Sequence, residues 1–177
     1  MKGYVFKVLL LGDAGVGKTS LIMRFVHNKF KSDYLLTIGM NVYSYTIDVN
    51  GYRVSLSIHD IGGQKRFESF RQIFYKGSSG ALLVYDITRE ASFKHVSKWV
   101  AELQQECKQC KDLVLVGNKM DLEELRAVPY EAGKKQSEQL GATNFIETSA
   151  LSGQNVVDAF KQLASTMIHS SNRKTSP

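Results

Sequence analysis

A chain of 177 residues, 43% of them hydrophobic, is long enough for one domain with a substantial core, and its apolar runs fall far short of the roughly 20 residues needed to cross a membrane. The net charge of +6 comes from scattered Lys and Arg without interleaved aromatics, which argues against a nucleic-acid partner and for a solvated surface with some attraction to phosphates or acidic proteins. The 2 Cys exclude a disulfide scaffold and point to a reducing compartment.

Tyr4–Leu11 is a nearly continuous apolar run, as expected of a strand buried on both faces. Gly12-Asp13-Ala14-Gly15-Val16-Gly17-Lys18-Thr19 follows, and a helical pattern opens at Leu21-Ile22. Strand, glycine loop and helix are the context of a phosphate-binding loop. Its backbone N–H groups turn inward around a phosphate chain, and the helix N-terminus adds partial positive charge. Lys18 reaches the β- and γ-phosphates, and the Thr19 hydroxyl can ligate Mg²⁺.

Tyr43, Tyr45, Ile47 and Val49 alternate with polar residues, as do Val54, Leu56 and Ile58 within Arg53–His59. Asn50-Gly51 between them is a hairpin-turn dipeptide. Ala81–Tyr85, Leu113–Val116 and the shorter Asn144–Ile146 are further strands. Phe93, Val96, Val100 and Leu103 mark one helix face; Val156, Phe160, Leu163 and Met167 mark another, with Asn155 as its expected N-cap. The fold class is α/β: a mostly parallel six-stranded sheet with one antiparallel edge hairpin and helices on both faces. Ligands of such sheets bind beyond the C-terminal strand ends. The glycine loop, Asp60, Asp86, Asn118 and Ser149 all fall there.

Asn118-Lys119-Met120-Asp121 follows the strand Leu113–Val116. A carboxylate at its last position accepts from both N1–H and N2–H₂ of guanine, a donor pair adenine lacks. Glu147-Thr148-Ser149-Ala150 supplies a second loop for the base. These elements, in this order over residues 4–169, resemble a small GTPase of the Ras superfamily with a P-loop G domain. Thr37-Ile38-Gly39, Gly63-Gln64-Lys65-Arg66-Phe67, Phe74-Tyr75-Lys76-Gly77, Leu82–Thr88, Ser92-Phe93 and Lys98-Trp99 are similar to the Rab branch.

The resemblance implies a molecular switch that binds GTP and GDP with Mg²⁺ and hydrolyses GTP. Thr19 and Thr37 would be Mg²⁺ ligands, with Asp60 acting through water. The N–H groups of Thr37 and Gly63 would sense the γ-phosphate, and Gln64 would orient the attacking water beside Lys18. Ala14, Gly15, Val16, Gly17, Lys18, Thr19 and Ser20 would cradle the phosphates under Tyr34. Phe30, Asn118, Lys119, Asp121, Ser149, Ala150 and Leu151 would enclose the base, with the Ala150 N–H on the guanine carbonyl. Effector, exchange-factor and GTPase-activating proteins would bind through the loops carrying Thr37 and Gly63.

The chain departs from the Rab pattern in places. The aromatic triad beneath the effector surface is reduced to Val42, His59 and Tyr75. Gly62 beside Gly63 resembles the Arf branch and loosens the Gln64 loop, and Lys65 replaces an acidic residue. Leu151 resembles the Rho branch. Ala14 places a methyl where an activating arginine would enter. No residue reads as a positive charge supplied in cis, because Arg66 and Arg71 are expected to face solvent or partners. Intrinsic hydrolysis is therefore expected to be slow. Cys107 and Cys110 read as incidental surface or helix-end cysteines.

Residues 1–169 are read as the G domain and 170–177 as a short polar tail without cysteine. The chain is thus expected to be cytoplasmic with no stable membrane anchor, and peripheral at membranes only in a longer or lipidated form. A second reading is a nucleotide-dependent binding scaffold with negligible hydrolysis. A third, a P-loop small-molecule kinase, has no use for Asn118–Asp121 and no visible lid.

Overall fold

The computed structural model describes residues 3–31 and 36–174. Strand β1 (Gly3–Leu11) leads through the glycine loop into helix α1 (Lys18–His27). Strands β2 (Met40–Val49) and β3 (Tyr52–Ile61) form the expected hairpin, turning at Asn50 and Gly51 with φ of 52° and 78°. The four-residue helix α2 (Glu68–Arg71), flanked by 3₁₀ turns, precedes strand β4 (Gly80–Asp86). Helices α3 (Glu90–Lys94) and α4 (Val96–Glu106), strand β5 (Asp112–Asn118), helix α5 (Tyr130–Gln139), strand β6 (Asn144–Thr148) and helix α6 (Val156–Lys174) follow.

The strands lie in the order β2-β3-β1-β4-β5-β6, with only the β2–β3 pair antiparallel. Side-chain alternation divides the core into two layers. Val8, Leu10, Leu82, Val84, Val114 and Val116 face α1 and α6. Leu9, Leu11, Ala81, Leu83, Leu113 and Leu115 face α4 and its neighbours. Each fully buried aliphatic side chain contributes roughly 1.5–3 kcal/mol. With apolar residues on both faces, β1, β4 and β5 form the rigid centre, and the loops at their C-terminal ends carry the polar groups.

Several local expectations are revised. Asn155 does not cap α6: at φ 58° its side-chain amide donates to the Glu147 carbonyl (2.8 Å), tying the helix start to the loop after β6. Cys107 and Cys110 are buried rather than superficial, because the turn after α4 folds back under the sheet beside Ser78. Burial pushes the Cys110 thiol up to about 12, so it is no reactive thiolate. Tyr75 is also fully buried, with its hydroxyl donating to Glu102 (2.7 Å), whereas Val42 and His59 pair across the β2–β3 hairpin. Tyr75 therefore does not share their surface. Ser170–Lys174 belong to α6: Ser170 donates to Asp112 and Tyr4 donates to Asn172, so the first part of the expected tail is docked on the domain.

Candidate functional site

The glycine loop is held by its carbonyl groups. Lys18 Nζ donates to the Gly12 (2.7 Å) and Asp13 (2.9 Å) carbonyls. Arg89 donates to the Ala14 carbonyl (2.8 Å) and Asn118 Nδ2 to that of Val16 (2.9 Å). With these carbonyls tied back, the intervening N–H groups are free to converge on an anion. Gly17 has a φ of 101°, and a Cβ there would lie 2.2 Å from Asn118 Nδ2. Only glycine lets the phosphate loop and the base loop approach this closely.

Thr19, Thr37 and Asp60 come together from α1, the segment before β2, and the end of β3. Thr19 Oγ1 lies 2.7 Å from Thr37 Oγ1 and 2.5 Å from Asp60 Oδ2, and Thr37 Oγ1 lies 3.2 Å from the same oxygen. Asp60 is fully buried and its Oδ1 has no hydrogen-bond partner among the described residues. Burial raises its pKa, against the hydrogen bonds from Thr19 and Thr37 and the Lys18 charge, which lower it. Two hydroxyls and a carboxylate with an unpaired oxygen form a hard-oxygen donor set suited to Mg²⁺. Among the described residues no cluster of three or more His, Cys, Asp or Glu offers a competing metal site.

At the opposite end, Asn118 Oδ1 accepts from Thr148 Oγ1 (3.1 Å) and the Ala150 N–H (3.3 Å), locking the two base loops together. Asp121 Oδ1 accepts from Ser149 Oγ (2.6 Å). Lys119 is left-handed and pairs with Asp86 (2.7 Å). Burial pushes the Asp86 pKa up, but Lys119 and two bonds from Thr88 outweigh it and hold the carboxyl below its ordinary range.

A cavity of about 470 Å³ joins the two ends. Its walls include Ala14, Gly15, Gly17, Lys18, Thr19, Ser20, Phe30, Thr37, Gly63, Gln64, Asn118, Lys119, Asp121, Ala150 and Leu151. Val16, Asp60 and Ser149 stand behind these residues as supports. Tyr34 lies outside the described residues. Gly63 packs on the glycine loop so closely that a Cβ would lie 2.4 Å from the Gly12 carbonyl oxygen and 2.5 Å from Ala14 N.

Several residues without a sequence signature support the site. Arg24 on α1 donates to the carbonyls of Ala150 (2.9 Å) and Leu151 (2.5 Å). Arg126 bridges Glu123 and the buried Glu147 through paired bonds of 2.6–2.8 Å. Trp99 Nε1 (2.9 Å) and His95 Nδ1 (2.7 Å) hold the Asp13 carboxylate. Leu36 and Leu122 add apolar wall. No motif marks Arg24, His95 or Arg126, and the Rab-like Lys98-Trp99 gives Trp99 no role in the site; Arg24, His95 and Trp99 act through partners distant in sequence.

A glycine loop clamped at its carbonyls, an oxygen donor set at one end and a paired base loop at the other define a P-loop nucleotide-binding domain. The model of the Ras family matches residues 7–169, and the chain belongs to that family. It is 43% identical to Ras-related protein RABA1b of Arabidopsis thaliana over 97% of this chain and 79% of that protein. It is 39% identical to Ras-related protein Rab-8B of Homo sapiens (97% and 82% covered) and 40% identical to Ras-related protein Rab-11A of Dictyostelium discoideum (94% and 77%). The protein is a Rab-like small GTPase, a GTP-binding switch of membrane trafficking that hydrolyses GTP. The family generally binds GTP and GDP with Mg²⁺ and works through regulators and effectors.

Proposed function

We propose that the cavity binds the nucleotide with guanine on Asn118, Lys119 and Asp121 and with the γ-phosphate against Ala14, Gly63 and Gln64. The observation that carries this orientation is the convergence of Thr19, Thr37 and Asp60 at the end remote from the base loop. Thr19 and Thr37 would hold Mg²⁺ with Asp60 behind them; the ion would neutralise phosphate charge and polarise the phosphoryl group. Lys18 sits where its ammonium meets the β- and γ-phosphates, and Gln64 orients the attacking water. The Thr37 and Gly63 N–H groups report the γ-phosphate. Gly62 N–H donates to the Gly39 carbonyl (2.9 Å), so the two reporting loops move as one.

Leu36, Ile38, Val42, Phe70 and Ile73 are exposed on these loops and the adjoining β2. This apolar surface is the proposed docking face for effectors, exchange factors and activating proteins. The domain read as residues 1–169 is extended by the docked end of α6 to Lys174, and the protein acts in the cytoplasm, and peripherally at membranes only in a longer or lipidated form. Among the described residues no helix is long and apolar enough to cross a membrane.

Single-turnover phosphate release tests the assignment. Gln64→Leu is expected to slow release at least tenfold with GTP affinity unchanged; an unchanged rate removes Gln64 from the mechanism. Thr19→Asn is expected to weaken Mg²⁺-dependent GTP binding more than GDP binding, as read by nucleotide titration at varied Mg²⁺. Equal losses for both nucleotides would remove Thr19 from the metal site.

A further inference from the structure

The carbonyl clamp contains one member whose chemistry exceeds a structural task. Arg89 lies in the turn after β4, and its guanidinium donates to the Ala14 carbonyl (2.8 Å). Its other terminal nitrogen lies 3.7 Å from where a Gly15 Cβ would stand. Ala14, Gly63 and Gln64 line both the nucleotide cavity and a second cavity of about 570 Å³, in whose wall Arg89 stands. A cation therefore sits on the outer lip of the glycine loop, on the side of the switch glutamine.

The backbone of the turn that carries this exposed side chain is firmly braced. Thr88 N–H (2.9 Å) and Oγ1 (2.7 Å) both donate to Asp86 Oδ1, and the Arg89 N–H donates to the Asp86 carbonyl (2.9 Å). The Arg89 carbonyl accepts from Ser92 Oγ (2.7 Å), and the other oxygen of Asp86 pairs with Lys119. The base loop and the Arg89 turn thus share a buried carboxylate. Arginine is a fixed planar cation with five donors. The Ala14 carbonyl is the guanidinium's one hydrogen-bond partner among the described residues, so further donors remain for an anion.

We propose that Arg89 is an arginine supplied in cis, which donates to the γ-phosphoryl group during hydrolysis. In that step a water oxygen bonds to the γ-phosphorus and the bond from that phosphorus to the β–γ bridging oxygen breaks. The electron pair leaves on GDP, and the water protons pass to the inorganic phosphate and solvent. Arg89 keeps all its protons and offsets charge on the transferring group. The proposal rests on Ala14 and Gly63 marking the γ-phosphate end. It moves the expected intrinsic rate from the slow limit toward the order of 10⁻² s⁻¹ seen with an arginine in cis.

The test compares the wild-type chain with Arg89→Ala, Arg89→Lys and Lys94→Ala. Lys94 is a charge control on α3, and among the described residues its ammonium pairs with the exposed Glu90 alone. Single-turnover phosphate release should fall about tenfold or more in Arg89→Ala, partly recover in Arg89→Lys and stay unchanged in Lys94→Ala. GTP and GDP affinities should stay within about twofold, the scale of losing one surface contact. Wild type should also form a complex of Mg²⁺, GDP and aluminium fluoride without any activating protein, seen by fluorine NMR, and Arg89→Ala should not. An unchanged rate in Arg89→Ala, a fluoride complex equal to wild type, or a rate loss matched by an equal loss of GDP affinity would overturn the proposal. The last result would reduce Arg89 to a brace. Wild type that binds GTP but releases no phosphate would overturn the site assignment as well, so the two failures are distinguishable.

Discussion

Asp121→Asn is expected to abolish high-affinity GTP binding and to confer binding of xanthosine triphosphate. Asp121 lies on the cavity wall with one carboxylate oxygen accepting from Ser149 (2.6 Å). The carboxylate is an acceptor only, so it matches the two donors on the guanine edge. Asparagine replaces one acceptor by an NH₂ donor, which would face the guanine donors with neither side paired. Sites built on such hydrogen bonds discriminate by about 10⁴–10⁵, so a loss of at least about 10³ in GTP affinity is expected. Xanthine carries a carbonyl where guanine has its exocyclic amine, and it restores the pairing. The Ser149 bond can be kept by the asparagine oxygen, so the fold is preserved. Competition titration with GTP, XTP and ATP reads the result. Retained nanomolar-class GTP binding in the variant, or comparable ATP and GTP binding in the wild type, would sink the guanine assignment.

The residues that carry the chemistry were legible because their types are unusual where they stand. A glycine loop between an apolar run and a helix, and a carboxylate two residues after a lysine at a strand end, have few other uses. The sheet was legible for a similar reason. The doubly apolar β1, β4 and β5 and the strictly alternating β2 and β3 need opposite environments, and each found its own. The supports were not legible. Arg89 and Ala14 are 75 residues apart, and Arg24 and Ala150 are 126 apart. An arginine in a polar turn looks the same whether it meets water or a backbone carbonyl. The two cysteines illustrate the converse. Their polar neighbours suggest a surface, but the chain after α4 turns inward and buries them. Local pattern locates donors and acceptors; only the register of distant strands decides which of them meet.

Gly63→Ala is expected to leave GDP binding within a few-fold of wild type and to slow phosphate release by about 100-fold, the scale of losing one preorganised backbone donor. Gly63 is not left-handed, so alanine meets no backbone strain of its own. The obstacle is space. A Cβ would stand 2.4 Å from the Gly12 oxygen and 2.5 Å from both Ala14 N and the Asp13 carbonyl carbon. All three are backbone atoms of a loop clamped by Lys18, Arg89, Trp99 and His95. They cannot yield as a flexible side chain would, so the Gly63 segment must lift instead. Because Gly62 donates to the Gly39 carbonyl (2.9 Å), lifting it pulls on the segment that carries Thr37. One methyl thus displaces the Gly63 N–H, the position of Gln64 and the Thr37 hydroxyl together. Overpacking of this kind costs about 1–3 kcal/mol, against a domain stability of about 5–15 kcal/mol, so the variant folds. In the proposed orientation the base loops of Asn118, Asp121 and Ala150 lie at the far end of the cavity and are untouched, which is why GDP would be retained. Hydrogen exchange should show residues 36–39 and 62–66 protected by a non-hydrolysable GTP analogue in wild type and equally open with either nucleotide in the variant. Wild-type phosphate release from Gly63→Ala, with those segments protected as usual, would show that the close seat of Gly63 on the glycine loop has no part in closing the switch.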